Sequence, residues 1–135
     1  MQLQKENEEA LHFFAFYDVL TGLPNRRLFL EKLLQSLEHA RVINGMVAVL
    51  LLDLDRFRLI NESLGFATGD QVLSAVAGRL VAQLGEQETT ARLSSDEFII
   101  LVPNVGSVEA AGKMARHLLE TIRSGLVLAD HELSL

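Results

Sequence analysis

The stretch Ala91-Arg92-Leu93-Ser94-Ser95-Asp96-Glu97-Phe98-Ile99-Ile100-Leu101-Val102 sets two serines and two acids between segments rich in β-forming residues. Residues 89–93 and 97–102 read as short strands and the polar residues between them as a hairpin turn, although no Asn-Gly pair marks it. About forty residues upstream, the apolar run 46–54 has no alternation, is rich in Val and Leu, and is bounded by Gly45 and the acids Asp53 and Asp55. That pattern predicts a central strand covered on both faces. Two acidic strand ends opening on one edge of one sheet are expected to form a cation site.

Helices surround these strands. In the first seventeen residues, Leu3, Asn7, Ala10, Phe14 and Tyr17 recur at spacings of three and four, which predicts a helix with one mostly apolar stripe. It packs on its own domain or ends a longer signalling helix arriving from upstream. The turn cluster Thr21-Gly22-Leu23-Pro24-Asn25 follows, with Asn25 as N-cap of a helix carrying Leu30, Leu33, Leu34 and Leu37 and ending near Asn44-Gly45. Thr68-Gly69-Asp70-Gln71 fits a capping box before a helix whose buried face is Val72, Leu73, Val76, Ala77, Leu80 and Leu84. Ser107 opens another helix, with Val108, Ala111, Ala115, Leu118, Leu119 and Ile122 as its stripe, and residues 132–135 begin to alternate as a strand when the sequence stops, as at a fragment boundary. The expected fold class is α+β, a ferredoxin-like sandwich with helices on a mainly antiparallel central sheet.

Composition narrows the function. The 135 residues are 49% apolar with a net charge of −6, enough for one globular core, and the twelve Lys and Arg are scattered, so no basic nucleic-acid surface is expected. With no cysteine, disulfides, thiolate metal sites and cysteine nucleophiles are excluded. The longest apolar run is too short to cross a bilayer and the N-terminus lacks an apolar signal core, so no membrane contact by this segment and a cytoplasmic location are expected, including as the cytoplasmic part of a membrane-anchored parent.

The residues that carry chemistry leave two readings open. Asp53 and the Leu54 carbonyl are the better-placed oxygen donors at the first strand end, suited to a hard cation that also holds nucleotide phosphates. On local sequence alone the simpler account is preferred, in which Asp55 caps a short helical turn at 56–63 and Asp53 is a solvated strand end. Adjacent Asp96 and Glu97 diverge in an extended turn, one toward a metal and one away, or they form a charged tip that blunts edge pairing. Asn61 and Asp70 offer an amide and a carboxylate that match a purine edge, while Asp70, in the first turn of its helix, is also accounted for by the helix dipole. The histidines show no ligand spacing, and neither a Ser/His/Asp arrangement nor a glycine-rich phosphate loop is present.

Three ordered segments together resemble the GGDEF domain of the bacterial diguanylate cyclase family: Asp18-Val19-Leu20-Thr21-Gly22-Leu23-Pro24-Asn25-Arg26-Arg27; residues 52–62 followed by 64–73; and Arg92-Leu93-Ser94-Ser95-Asp96-Glu97-Phe98. The likeness runs from about Phe16 to the end, with 1–17 as a linker or signalling helix and 18–135 as a GGDEF domain lacking its last strand and helix. It implies a nucleotidyl-cyclase-type sandwich in which Asp53, the Leu54 carbonyl and Asp96 hold Mg²⁺, with Mn²⁺ as a substitute. Asn61 and Asp70 would recognise the guanine of GTP, Phe57 and Arg58 would offer backbone amides to its terminal phosphates, and Glu97 would assist the metal or the attacking hydroxyl. In the family two GTP-loaded domains face each other as a homodimer, and each 3′-hydroxyl attacks the opposing α-phosphate to give cyclic di-GMP and pyrophosphate.

This sequence departs from the family where it touches substrate. Ser94 and Ser95 stand in place of its two glycines, and glycine suits a turn that needs positive φ or close approach to the nucleotide. Because about 1.4 kcal/mol is tenfold in rate, a modest steric cost there implies strongly impaired cyclisation. Phe66 and Arg58 replace the family's histidine and lysine, and the window Gly85-Glu86-Gln87-Glu88 lacks the Arg-x-x-Asp of product inhibition. The resemblance therefore implies a degenerate domain that binds GTP and Mg²⁺ as a regulatory module with weak or no cyclase activity, the alternative being a working cyclase. An upstream sensory domain and a downstream phosphodiesterase domain of the EAL type are the expected neighbours in the parent chain.

Overall fold

The structure is a computed structural model that describes residues 2–123, 126–128 and 131–133, with side chains described for 8–11 and 13–123. Its elements in chain order are α1 (Gln2–Phe16), α2 (Arg26–Ile43), β1 (Ala48–Asp53), α3 (Phe57–Leu64), α4 (Phe66–Gln83), β2 (Thr89–Ser94), β3 (Glu97–Val102), α5 (Val108–Arg123), β4 (Leu126–Leu128) and β5 (His131–Leu133). The expected α+β sandwich is present. β1, β3 and β2 form an antiparallel sheet in that order, and β4 and β5 pair in a separate small sheet. The strand expected at 132–135 thus lies partly in β5, while 134 and 135 fall outside the described residues.

Period-two alternation along the central strand β3 divides the core in two. Phe98, Ile100 and Val102 join Leu50 and Leu52 of β1, the α4 stripe Val72, Leu73, Val76, Ala77 and Leu80, and Leu118 and Ile122 of α5. Ile99 and Leu101 point the other way, toward Ala91 of β2 and Phe29 and Leu33 of α2. Asn25 caps α2 as expected, its Oδ1 accepting from the Leu28 N–H at 3.1 Å, and Asn44 ends that helix in the left-handed region. Ser107 caps α5 through the Ala110 N–H at 3.0 Å.

Several expectations need correction. Among the described residues β1 is an edge strand with one covered face, because only β3 flanks it and α2 lies over β2; Val49 and Leu51 are exposed. On α2 the buried residues are Phe29 and Ala40, with Leu33 half-buried, so Leu30, Leu34 and Leu37 face outward, and on α5 Val108 and Leu119 are likewise exposed. The capping box at Thr68 is not used: Gly65 alone separates α3 from α4, with φ 91° and ψ 162°, a region essentially restricted to glycine, and α4 begins at Phe66. Asp70 consequently lies beyond the first turn, and the helix dipole explains it less well. Asp55 caps nothing either, since α3 is a full helix whose N-cap is Arg56 in the left-handed region (φ 80°), with no side-chain cap.

Among the described residues no helix is long and apolar enough to cross a membrane. Phe98 is fully buried at the centre of the larger core. Phe98→Ala is expected to cost about 3–5 kcal/mol in urea unfolding, the usual range for emptying a buried phenylalanine site; a loss below about 1 kcal/mol would contradict the layer assignment.

Candidate functional site

The antiparallel pairing of β1 with β3 brings the two acidic segments together. Asp53, the last residue of β1, is the register partner of Glu97, the first of β3. One step further, the Leu54 N–H donates to the Asp96 carbonyl at 3.0 Å, continuing the ladder around the turn. Asp53, Asp55, Asp96 and Glu97 therefore crowd one end of the sheet. Shielding from water first, then repulsion from Asp96, Glu97 and Asp55, pushes the Asp53 carboxyl above the ordinary aspartate range. Among the described residues no three acidic or histidine side chains form a ready-made metal cluster. What the edge offers is hard carboxylate oxygen, with Asp53 in the negative field of Asp96, Glu97 and Asp55.

Next to this edge lies a pocket of about 220 Å³ lined by residues 52–56 together with Leu119, Ile122 and Arg123. Leu54 itself is buried, which fixes the position of its carbonyl. That carbonyl accepts from the Phe57 N–H at 3.4 Å, beyond the usual hydrogen-bond range, so both groups retain capacity for another partner. The Phe57 ring is core, and the Arg58 guanidinium pairs with Glu62 at 3.2 Å on the surface. Any role of these two residues toward a ligand at the pocket thus falls to their amides, which sit in the first turn of α3 where helix N–H groups lack intrahelical acceptors.

Asn61 and Asp70 come from α3 and α4, which the single-residue link at Gly65 holds against each other. The Asn61 amide lies directly over Gly69, the residue before Asp70. A Cβ at 69 would overlap its Oδ1, so any larger residue there would displace the Asn61 amide. Asp70 is exposed. Neither residue lines the pocket beside Asp53, so the pair and the acidic edge are separate parts of this surface.

At the hairpin the structure adds a residue that sequence reasoning missed. The Arg92 Nε donates to the Ser94 carbonyl and Nη2 to the Ser95 carbonyl, both at 3.1 Å, while Nη1 faces both carboxylate oxygens of Asp18 at 3.1 and 3.3 Å. Asp18 Oδ2 also accepts from the Thr21 N–H at 2.9 Å and the Thr21 hydroxyl at 2.7 Å. One guanidinium therefore joins the turn before α2 to the acidic hairpin. Its alternation in β2 was readable, but its partner lies 74 residues away and gave no local signal.

The serines are also placed differently from the expectation. Among the described residues the positive-φ positions are Gly22, Asn44, Arg56 and Gly65, so neither Ser94 nor Ser95 needs the glycine region. A bulge between Arg92 and Ser94 makes Ser94 the partner of Glu97, and its Oγ lies 2.5 Å from Glu97 Oε1.

Burial raises the Asp18 carboxyl, but the Thr21 hydrogen bonds and Arg92 outweigh it and hold the group below the ordinary aspartate range. A depressed acid stabilises the fold above its unfolded value, near 3.9, and loses that contribution as pH falls through the folded value. Asp18→Asn should therefore cost stability at pH 6 in urea unfolding, with the difference from wild type shrinking below about pH 4. A gap independent of pH would contradict this.

Comparison with known proteins gives one consistent match. The family described as diguanylate cyclase, GGDEF domain, matches residues 15–135. Over 129 residues the chain is 39% identical to diguanylate cyclase TpbB of Pseudomonas aeruginosa, covering 96% of this chain and 29% of that protein. Over 119 residues it is 38% identical to cyclic di-GMP phosphodiesterase NbdA of the same species, covering 88% of this chain and 15% of that protein. The chain thus spans less than a third of these relatives. Among solved structures, the GGDEF domain of PA1120 (TpbB or YfiN) from P. aeruginosa superposes with a TM-score of 0.84 at 38% identity, covering 87% of this chain and 69% of that one.

Proposed function

Because this chain belongs to the GGDEF-domain family of diguanylate cyclases, we propose that it is the GTP-binding, regulatory GGDEF module of a cyclic di-GMP signalling protein, with weak or no cyclase activity. The observation that carries the reading is the acidic sheet edge, where Asp96, Glu97 and Asp55 surround and repel Asp53 just before α3. Such an edge favours a divalent cation, and the donors present are those Mg²⁺ prefers, with Mn²⁺ as a substitute. Once bound, the cation neutralises nucleotide phosphates.

Asp53, Asp96 and the Leu54 carbonyl hold the cation in this reading. The Phe57 and Arg58 amides meet the terminal phosphates, and Asn61 and Asp70 read guanine through the donor and acceptor of its edge. Glu97 supports the metal or accepts the proton of the attacking hydroxyl. Ser94 and Ser95 add side chains where the signature of the family has none, and this is what lowers turnover. A second copy of the chain completes the reaction geometry. A sensory domain upstream and an EAL-type domain downstream supply input and output, consistent with a matched relative that is named a phosphodiesterase. The parent chain places this segment in the cytoplasm.

A second reading, an active cyclase forming cyclic di-GMP and pyrophosphate from two GTP, is favoured by one observation: the serines fit the turn without positive φ. Calorimetry with GTP and Mg²⁺, run beside a cyclic di-GMP assay, separates the two. We expect GTP binding that Asp53→Asn and Asn61→Ala each weaken about tenfold or more, and product formation that rises at least tenfold in the Ser94→Gly/Ser95→Gly variant. Cyclic di-GMP formed by wild type as fast as by an active glycine variant would establish the second reading, and no GTP binding would defeat both.

A further inference from the structure

Ser94 does more at the hairpin than occupy space. Its hydroxyl reaches Glu97 Oε1 at 2.5 Å, within the short range of a hydroxyl donating to a carboxylate. Both residues are directly opposed across the hairpin, because the bulge at Leu93 brings Ser94 into register with Glu97. An exposed hydroxyl is ordinarily free to rotate, and water competes for the carboxylate. Here the backbone that follows the Ser94 side chain is held: Arg92 grips the Ser94 and Ser95 carbonyls, and Asp18 grips Arg92. The direction of the Ser94 Cβ is therefore set, and with it the place where Glu97 finds a donor.

From this arrangement we propose that Ser94 is a positioning residue for Glu97, its hydroxyl occupying one carboxylate oxygen and drawing the side chain toward the hairpin tip, away from Asp53. The inference rests on the cation reading given above and names how the serine signature tunes that site. Glycine at 94 leaves both Glu97 oxygens free. Serine engages a lone pair of one of them and fixes its direction, so the edge holds a cation more weakly than the count of its carboxylates suggests. The attenuation at position 94 thus comes from the hydrogen bond rather than from the bulk of the side chain.

Mn²⁺ titrated into the chain alone, without nucleotide, and followed by loss of the free-ion electron paramagnetic resonance signal, tests this. Removing one hydrogen bond to a carboxylate should tighten Mn²⁺ binding about threefold to tenfold in Ser94→Ala. Ser94→Thr, which keeps the hydroxyl, should bind as wild type does, and the gain from Ser94→Ala should vanish when Glu97→Ala is added. Equal affinity in wild type and Ser94→Ala, a Thr variant that behaves like the Ala variant, or a gain that survives Glu97→Ala would each overturn the proposal while leaving the cation site intact. Failure of every variant to bind Mn²⁺ would instead defeat the cation reading, and this inference with it.

Discussion

The geometry of the acidic edge depends on one guanidinium. Arg92 is mostly buried, with its charge met by Asp18 and its remaining donors spent on the Ser94 and Ser95 carbonyls. A partly buried pair of this kind is not a large source of stability, because desolvation offsets much of the attraction. Its value here is directional. A planar fork with fixed donor angles orients two consecutive carbonyls in a way that a lysine ammonium does not. The same residue's backbone N–H donates to the Pro24 carbonyl at 3.1 Å, so side chain and main chain both bind the hairpin to the turn before α2.

From that anchor the site follows in steps. With the turn held, the Asp96 carbonyl is available to the Leu54 N–H, and the ladder carries past Asp53. The Leu54 side chain is buried in the larger core with Phe57 and Ile60, which sets the start of α3 relative to β1. The Gly65 link then lays α4 on α3, and Gly69 admits the Asn61 amide. α1 is tied to the same anchor, since the Asn25 Nδ2 donates to the Ala15 carbonyl at 3.0 Å and Tyr17 bridges to Pro24. A chain of contacts thus runs from α1 through the turn at Asp18 and through Arg92 to the carbonyls of Ser94 and Ser95.

Much of this was legible in the sequence because it is local. The β2–β3 hairpin, the Asn25 and Ser107 caps and the α4 core stripe each announce themselves within a few residues. Two errors share a cause: an apolar pattern reports hydrophobicity, not which neighbour is present. The continuous run at β1 reads as doubly covered, yet Val49 and Leu51 are exposed, and on α2 the leucines 30, 34 and 37 outnumber the positions that are buried. The capping box failed because Gly65, one turn earlier, takes a conformation that starts α4 first. At the site, the meeting of Asp53 with Glu97 could be anticipated from strand ends, whereas the Arg92 clamp and the Ser94 contact arise from tertiary placement and a bulge. The positive φ expected at the serines was inferred from the glycines they replace, and the turn closes without it.

Arg92 holds the hairpin against β1 and so assembles the acidic edge. Amide hydrogen exchange in wild type and Arg92→Lys tests it most directly. The lysine variant is expected to exchange faster at the Leu54 amide, whose acceptor is the Asp96 carbonyl, with Val76 and Leu80 in the core of α4 unchanged. An unaltered Leu54 amide, or equal loosening of all three, would contradict it.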